Sequence, residues 1–99
     1  MSEARIPPVH PGYYLRELIE ELGLSQRDLA KGIGVSPMRV SQIILERRRV
    51  TAEMAIRLGL YFGQSPQYWM NLQTRYDMDV AMDTVGERLS KEISPLQAA

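Results

Sequence analysis

The residues best suited to chemistry lie together in the middle of the chain, between residues 25 and 49. This stretch carries six basic residues against two acidic ones, a formal charge of +4, although the whole chain has twelve of each sign. Arginine and glutamine side chains can read base edges by paired hydrogen bonds, and cations in general can neutralise phosphates. Because exposed charges act within about 8–10 Å at physiological salt, such a patch can bind nucleic acid even on a neutral protein.

The sequence from residue 26 to residue 45 predicts the elements that position these side chains, namely two short helices joined by a tight turn. Ser25 can cap the first helix, and Gly34 can adopt the left-handed backbone of the turn. Ser36 followed by Pro37 supplies a cap and a first-turn proline for the second helix. The pattern predicts a helix-turn-helix motif, whose second helix enters the DNA major groove.

Helical geometry divides this second helix into a buried and an exposed face. Val40, Ile43 and Ile44 are predicted to face inward, which turns the polar side chains outward or onto the flanks. Gln42 is expected to pair with adenine N6 and N7, and Arg39 with guanine or with a phosphate. The predicted base-reading residues are Ser36, Met38, Arg39, Ser41 and Gln42.

A second group of residues is predicted to hold the DNA backbone rather than the bases. The first helix of the motif begins with polar residues, and free N–H groups at a helix N-terminus favour a phosphate. Three consecutive arginines follow the second helix, on a loop expected to run beside the backbone. The predicted phosphate contacts are Gln26, Arg27, Arg47, Arg48 and Arg49.

The rest of the chain predicts an all-α fold, a bundle of five to six helices around this motif. Three prolines within residues 1–12 indicate an N-terminal arm, followed by a helical domain over residues 13–80 and a helical extension over residues 81–99. Thr51 and Ser65 are further candidate N-caps, each followed by apolar residues at helical spacing. No alternation typical of strands is found.

Apolar residues near the C-terminus recur at steps of three and four residues and predict an amphipathic helix around residues 80–92. Gly86 weakens this prediction, because glycine costs about 1 kcal/mol in a helix interior. Since one recognition helix reads few bases, a homodimer that presents two of them is expected. The predicted dimer interface comprises Trp69, Met82, Val85 and Leu89.

Other classes of function find little support. The absence of cysteine excludes disulfides and fits the cytoplasm, and neither a signal peptide nor a membrane span is expected. His10 has no partner at ligand or catalytic spacing, and the acidic residues after Tyr76 lack a calcium-loop pattern. The sequence therefore predicts a binding protein with no metal, no cofactor and no catalytic residue.

Several segments resemble the HigA-type antitoxins of the VapI group. They are PVHPG from Pro8, GLSQ from Gly23, GVSP from Gly34, TAEMAIRL from Thr51 and SPQYWMNLQ from Ser65. The resemblance implies a fold similar to the lambda-repressor type of helix-turn-helix domain. It also implies a homodimer that binds a palindromic operator in double-stranded DNA and represses its own toxin–antitoxin operon. It adds a partner, a HigB-type toxin that cleaves mRNA, which the antitoxin neutralises. Two alternatives remain open: a stand-alone repressor without a toxin, and an interaction module that only inhibits a partner.

Overall fold

The computed structural model describes residues 6–97, and in that part of the chain every regular element is helical. The expected all-α bundle of five to six helices is confirmed. A π-helical segment, Met82–Gly86, joins the last two helices without a break. The helices are α1 (Pro11–Leu22), α2 (Gln26–Ile33), α3 (Pro37–Ile44), α4 (Ala52–Phe62), α5 (Pro66–Ala81) and α6 (Glu87–Glu92).

Hydroxyl caps start the helices of the motif where the sequence predicts them. The Ser25 side chain accepts the Asp28 N–H at 2.9 Å, and the Ser36 side chain accepts the Arg39 N–H at 3.2 Å. Between α2 and α3, Gly34 takes a φ of 75°, the left-handed backbone that the turn requires. The helix-turn-helix therefore forms from local signals, with α2 and α3 packed against each other.

The beginning of α1 differs from the prediction, because the helix starts inside the predicted arm. Pro11 occupies the first helical turn, and the His10 side chain caps it by accepting the Gly12 N–H at 2.9 Å. Histidine is an uncommon cap, so this start lacks the usual hydroxyl signal, although Pro11 suits the first helical turn. Residues 1–5 of the predicted arm lie outside the described residues.

The C-terminal extension continues α5 rather than forming a separate helix. Gly86 does not end the helix, because the backbone stays helical through the π-helical segment. The Thr84 hydroxyl donates to the Val80 carbonyl at 2.6 Å within this stretch. The helical part of the extension ends at Glu92, and the following residues up to 97 contain no helix.

The hydrophobic core lies where α1 to α5 meet. Trp69 is at its centre, with an exposed fraction of 0%, and its Nε1–H donates to Gln64 Oε1 at 2.7 Å. The prediction that Trp69 contributes to a dimer interface is therefore wrong, because its surface is already covered within one chain. The buried apolar residues are Leu15, Ile19, Leu29, Ala30, Ile33, Val40, Ile43, Ile44, Val50, Met54, Ala55, Leu58 and Trp69.

None of the helices found between residues 6 and 97 combines the length and the hydropathy needed to cross a bilayer.

Candidate nucleic-acid interface

The N-terminal end of α3 presents an uncovered surface. Val40, Ile43 and Ile44 are buried as predicted, which fixes the rotation of the helix about its axis. On the opposite side Met38 is 67% exposed, and Ser36 is exposed beside it. Ser41 is half-buried on one flank. An exposed helix of this size, with its first turn free, can enter a DNA major groove.

Arg39 lies on the other flank of α3, towards the start of α4. Its side chain is half-buried, and its Nε is buried with no hydrogen-bond partner within residues 6–97. The pKa of Glu53 is held below its usual value mainly by the hydrogen bond and charge of Arg57. The charge of Arg39 adds a weaker effect in the same direction. Arg39 is thus less freely presented to solvent than Met38.

Gln42 has a partner on the loop that follows α3. Its side-chain Oε1 accepts a hydrogen bond from Arg48 Nε at 2.8 Å. The two residues were predicted to act separately, Gln42 on a base and Arg48 on a phosphate. The structure instead brings them together on the same surface.

The three arginines of the loop are all exposed, but they do not have the same surroundings. Arg49 Nη1 lies 3.1 Å from Asp77 Oδ2 on α5, which ties the end of the loop to the body of the protein. Buried Gln73 holds the next residue, accepting the Val50 N–H at 2.7 Å, and donates to Asp77 Oδ1 at 2.9 Å. Arg49 is therefore partly neutralised, whereas Arg47 and Arg48 are exposed on the anchored loop, with Arg48 hydrogen-bonded to Gln42.

The N-terminus of α2 is the remaining predicted phosphate site. Arg27 is exposed there and Gln26 is half-buried. Ser25 and Asp28 form a reciprocal capping box, in which the Asp28 carboxylate accepts the Ser25 N–H at 3.4 Å. This carboxylate places a negative charge beside the helix end, so Arg27 supplies the main attraction for an anion at this position.

Two residues that position the interface have no assigned role in the sequence prediction. Arg57 on α4 donates from Nη1 to the Ile33 carbonyl at 2.7 Å and so caps the C-terminal end of α2. Glu46 follows α3 with a φ of 64°, the one positive φ found at a non-glycine residue among those described. Arg57 could not have been recognised from the sequence, because it lies 24 residues after Ile33 and reaches that carbonyl only through the packing of α4 beside α2. Glu46 gave no signal either, because glycine is the usual residue at such a position.

The single histidine is structural. His10 is buried, its ring meets the Tyr76 ring edge-on at a centroid distance of 5.0 Å, and its Nδ1 caps α1. Burial lowers the pKa of His10 from its ordinary value of 6.5, against a weaker opposing effect of Glu46 and Asp77. In residues 6–97 no group of three histidine, aspartate or glutamate side chains is arranged to hold a metal ion.

Comparison with known proteins points to one family. The helix-turn-helix family matches residues 15–69, more than half of the chain. Virulence-associated protein I of Dichelobacter nodosus is 47% identical over 77 residues, which span 77% of this chain and 71% of that protein.

Solved structures agree with this match. An addiction module antidote protein of the HigA family from Coxiella burnetii superposes with a TM-score of 0.90 at 37% identity, covering 92% of this chain and all of that one. The Pseudomonas aeruginosa antitoxin HigA, solved with the higBA promoter, superposes with a TM-score of 0.87 at 44% identity, covering 91% of this chain and 99% of that one. The chain belongs to the helix-turn-helix family of HigA antitoxins and VapI-like transcriptional regulators.

Proposed function

We propose that this protein binds its own operator in double-stranded DNA as an autorepressor, with α3 in the major groove. The observation that carries the proposal is the exposed first turn of α3, which carries Ser36 and Met38 and is flanked by the arginine loop. The Pseudomonas relative solved with a promoter supports it. The bases would be read by Ser36, Met38, Arg39, Ser41 and Gln42. The phosphates would be held by Gln26, Arg27 and the loop arginines.

A titration of the promoter fragment upstream of the gene tests this proposal. The double variant Arg39→Ala, Gln42→Ala is expected to lose roughly tenfold or more in affinity, because each good base contact is worth about 1–3 kcal/mol. The matched control is Gln67→Ala, Arg88→Ala, which removes the same two side-chain types from α5 and α6. If both double variants bind as tightly as the unaltered protein, α3 does not read the DNA.

We also propose that the protein acts as a homodimer, through the exposed apolar residues of the C-terminal extension. Met82 is 52% exposed and Leu89 is 37% exposed, and half-buried Val85 lies between them on the same helix. A two-fold axis through this stripe would present two α3 helices, which must lie about 34 Å apart to enter successive major grooves.

Sedimentation of a charged variant tests the dimer. Leu89→Glu is expected to shift the protein towards monomer and to weaken operator binding, because burying an unpaired carboxylate is costly. Ser90→Glu, at a neighbouring exposed position on α6, adds the same charge and is expected to change neither property. An unaltered sedimentation coefficient for Leu89→Glu would exclude this stripe as the interface.

The partner protein belongs to the same proposal. We propose that this protein binds and neutralises a HigB-type toxin in the cytoplasm and has no enzymatic activity of its own. Relatives named as an antitoxin and as an addiction module antidote support this proposal. Co-expression with the product of the adjacent reading frame tests it. Co-purification of the two proteins and rescue of growth are expected. If no adjacent toxin exists and the protein still binds the promoter, it is a stand-alone repressor. If it binds the toxin but not the promoter, it is an interaction module.

A further inference from the structure

The contact between Arg48 and Gln42 fixes the direction in which the Gln42 amide points. Arg48 Nε lies 2.8 Å from Gln42 Oε1. A guanidinium carries only donors, so the atom of the amide that faces it must be the oxygen. Rotating the amide by half a turn would bring its NH2 group against Arg48, donor against donor. The charged donor also makes this hydrogen bond stronger than one between neutral groups.

The backbone after α3 makes this contact possible between residues six positions apart. The Arg47 N–H donates to the Gln42 carbonyl at 2.8 Å, and the Glu46 N–H donates to the Ile43 carbonyl at 2.9 Å. With Glu46 in the left-handed conformation, these two hydrogen bonds form a Schellman motif. The chain therefore turns back on the last turn of α3, and Arg48 is returned to the side of Gln42.

We propose that Arg48 is a positioning residue for base recognition, which holds the Gln42 amide in one orientation and so sets which base edge Gln42 reads. With one lone pair of Oε1 occupied, the amide still offers the other lone pair and both N–H groups. Adenine needs an acceptor and a donor side by side, in a fixed order, at N6 and N7. An amide held by Arg48 presents its oxygen and its NH2 group in that one order. An amide that is free to rotate can also present them in the reverse order, to the edge of a different base. This inference rests on the proposed operator binding and deepens it.

The role differs measurably from that of a phosphate contact. An arginine that binds only phosphate adds affinity equally for every sequence, and its loss reduces the salt slope by about one unit. An arginine that positions Gln42 changes the discrimination at one base pair. Arg47 provides the matched comparison, because its side chain is exposed on the same loop, while the side-chain oxygen of Gln42 accepts its hydrogen bond from Arg48.

The experiment compares affinities for the promoter fragment and for its single base-pair variants. Gln42→Ala is expected to lose discrimination at one base pair in each half-site, by roughly 5- to 150-fold. Arg48→Ala is expected to lose at least about fivefold of discrimination at that same pair. Arg47→Ala should weaken binding to all duplexes equally. In the Gln42→Ala background, Arg48→Ala should cause no further loss of discrimination.

A uniform loss of affinity for Arg48→Ala, with discrimination at the Gln42 base pair retained, would overturn the inference and leave Arg48 as a phosphate contact. If Gln42→Ala loses no discrimination at any pair, the inference fails while operator binding stands. If the unaltered protein binds its promoter no better than a scrambled duplex, the proposed function itself fails, and this is visible before any variant is compared.

A measurement without DNA tests the geometry on its own. The side-chain NH2 group of Gln42 is expected to show restricted motion by ¹⁵N relaxation in the unaltered protein and in Arg47→Ala. The restriction should disappear in Arg48→Ala, and unchanged circular dichroism would show that this variant is folded. Equal mobility of the Gln42 amide in all three proteins would contradict the proposed positioning.

Discussion

At the scale of single residues, the sequence predicts which side chains are exposed better than it predicts which ones are paired. The positions of Met38 and of the buried Val40 follow from helical periodicity alone, because both depend only on rotation about the α3 axis. The hydrogen bond between Gln42 and Arg48 depends on the path of the loop. The ion pair between Arg49 and Asp77 joins α5 to that loop across 28 residues, and no local pattern encodes such a pairing.

His10 leads to a prediction about pH. Its pKa is lowered in the folded protein, so in the unfolded chain it binds a proton at a higher pH, near 6.5. The contribution of His10 to the free energy of unfolding is therefore fully present above about pH 6.5, and it is lost as the pH falls below that value. The free energy of unfolding, measured by urea denaturation, is expected to decrease between pH 7 and pH 5.5.

The control for this prediction is His10→Asn, because asparagine is a good N-cap and does not titrate. Since the chain has one histidine, the variant should show a nearly constant free energy of unfolding over the same interval. An equal slope in both proteins would mean that His10 does not cause the pH dependence.

At the scale of elements, the N-caps made the starts of four helices predictable, whereas the junction between α5 and α6 was not predicted. Ser25, Ser36, Thr51 and Ser65 each begin a helix as predicted, because a hydroxyl cap satisfies free N–H groups locally. The sequence predicts a separate amphipathic helix around residues 80–92, weakened by Gly86, and the continuity of this stretch with α5 was not predicted.

Glu46 allows a test of the turn that ends α3. Its left-handed conformation places a Cβ close to the backbone, at a cost of about 1–2 kcal/mol that glycine avoids. Glu46→Gly is therefore expected to be more stable than Glu46→Ala by about 1 kcal/mol in thermal or urea unfolding. Both variants lose the same carboxylate, so the comparison isolates the backbone. In a right-handed helix alanine would be the more stable of the two, and that order here would rule out the left-handed turn.

Gly12 allows a test of how α1 crosses α3. A Cβ at this position would collide with the carbonyl oxygen of Ile43, so the two backbones touch at a point where only hydrogen fits. Gly12→Ala is expected to lower the free energy of unfolding by about 1–3 kcal/mol.

Gly86→Ala is the matched control for Gly12→Ala, because its nearest neighbour is the flexible end of the Met82 side chain at 3.3 Å. That variant should keep or slightly gain stability, since alanine favours a helix more than glycine. A loss as large as that of Gly12→Ala would show that the crossing of α1 and α3 is not the cause.

At the scale of the whole molecule, charge is separated although the total is zero. The positive excess of residues 25–49 lies on the helix-turn-helix and its loop. Residues 75–99 carry a formal charge of −2, and this segment begins near the end of α5 and includes α6. The molecule is elongated, 55 by 31 by 20 Å. This separation was predictable by counting charges along the chain, whereas the burial of Trp69 required the packing of several helices.

The central claim is that α3 reads a particular DNA sequence, and relative affinity tests it most directly. The protein is titrated at about 150 mM salt with its promoter fragment and with a scrambled duplex of equal length and composition. We expect the promoter to bind at least about 10³-fold more tightly, the lower end of the range for specific DNA-binding proteins. Equal affinity for the two duplexes would contradict the account, because the loop arginines would then act on phosphates alone.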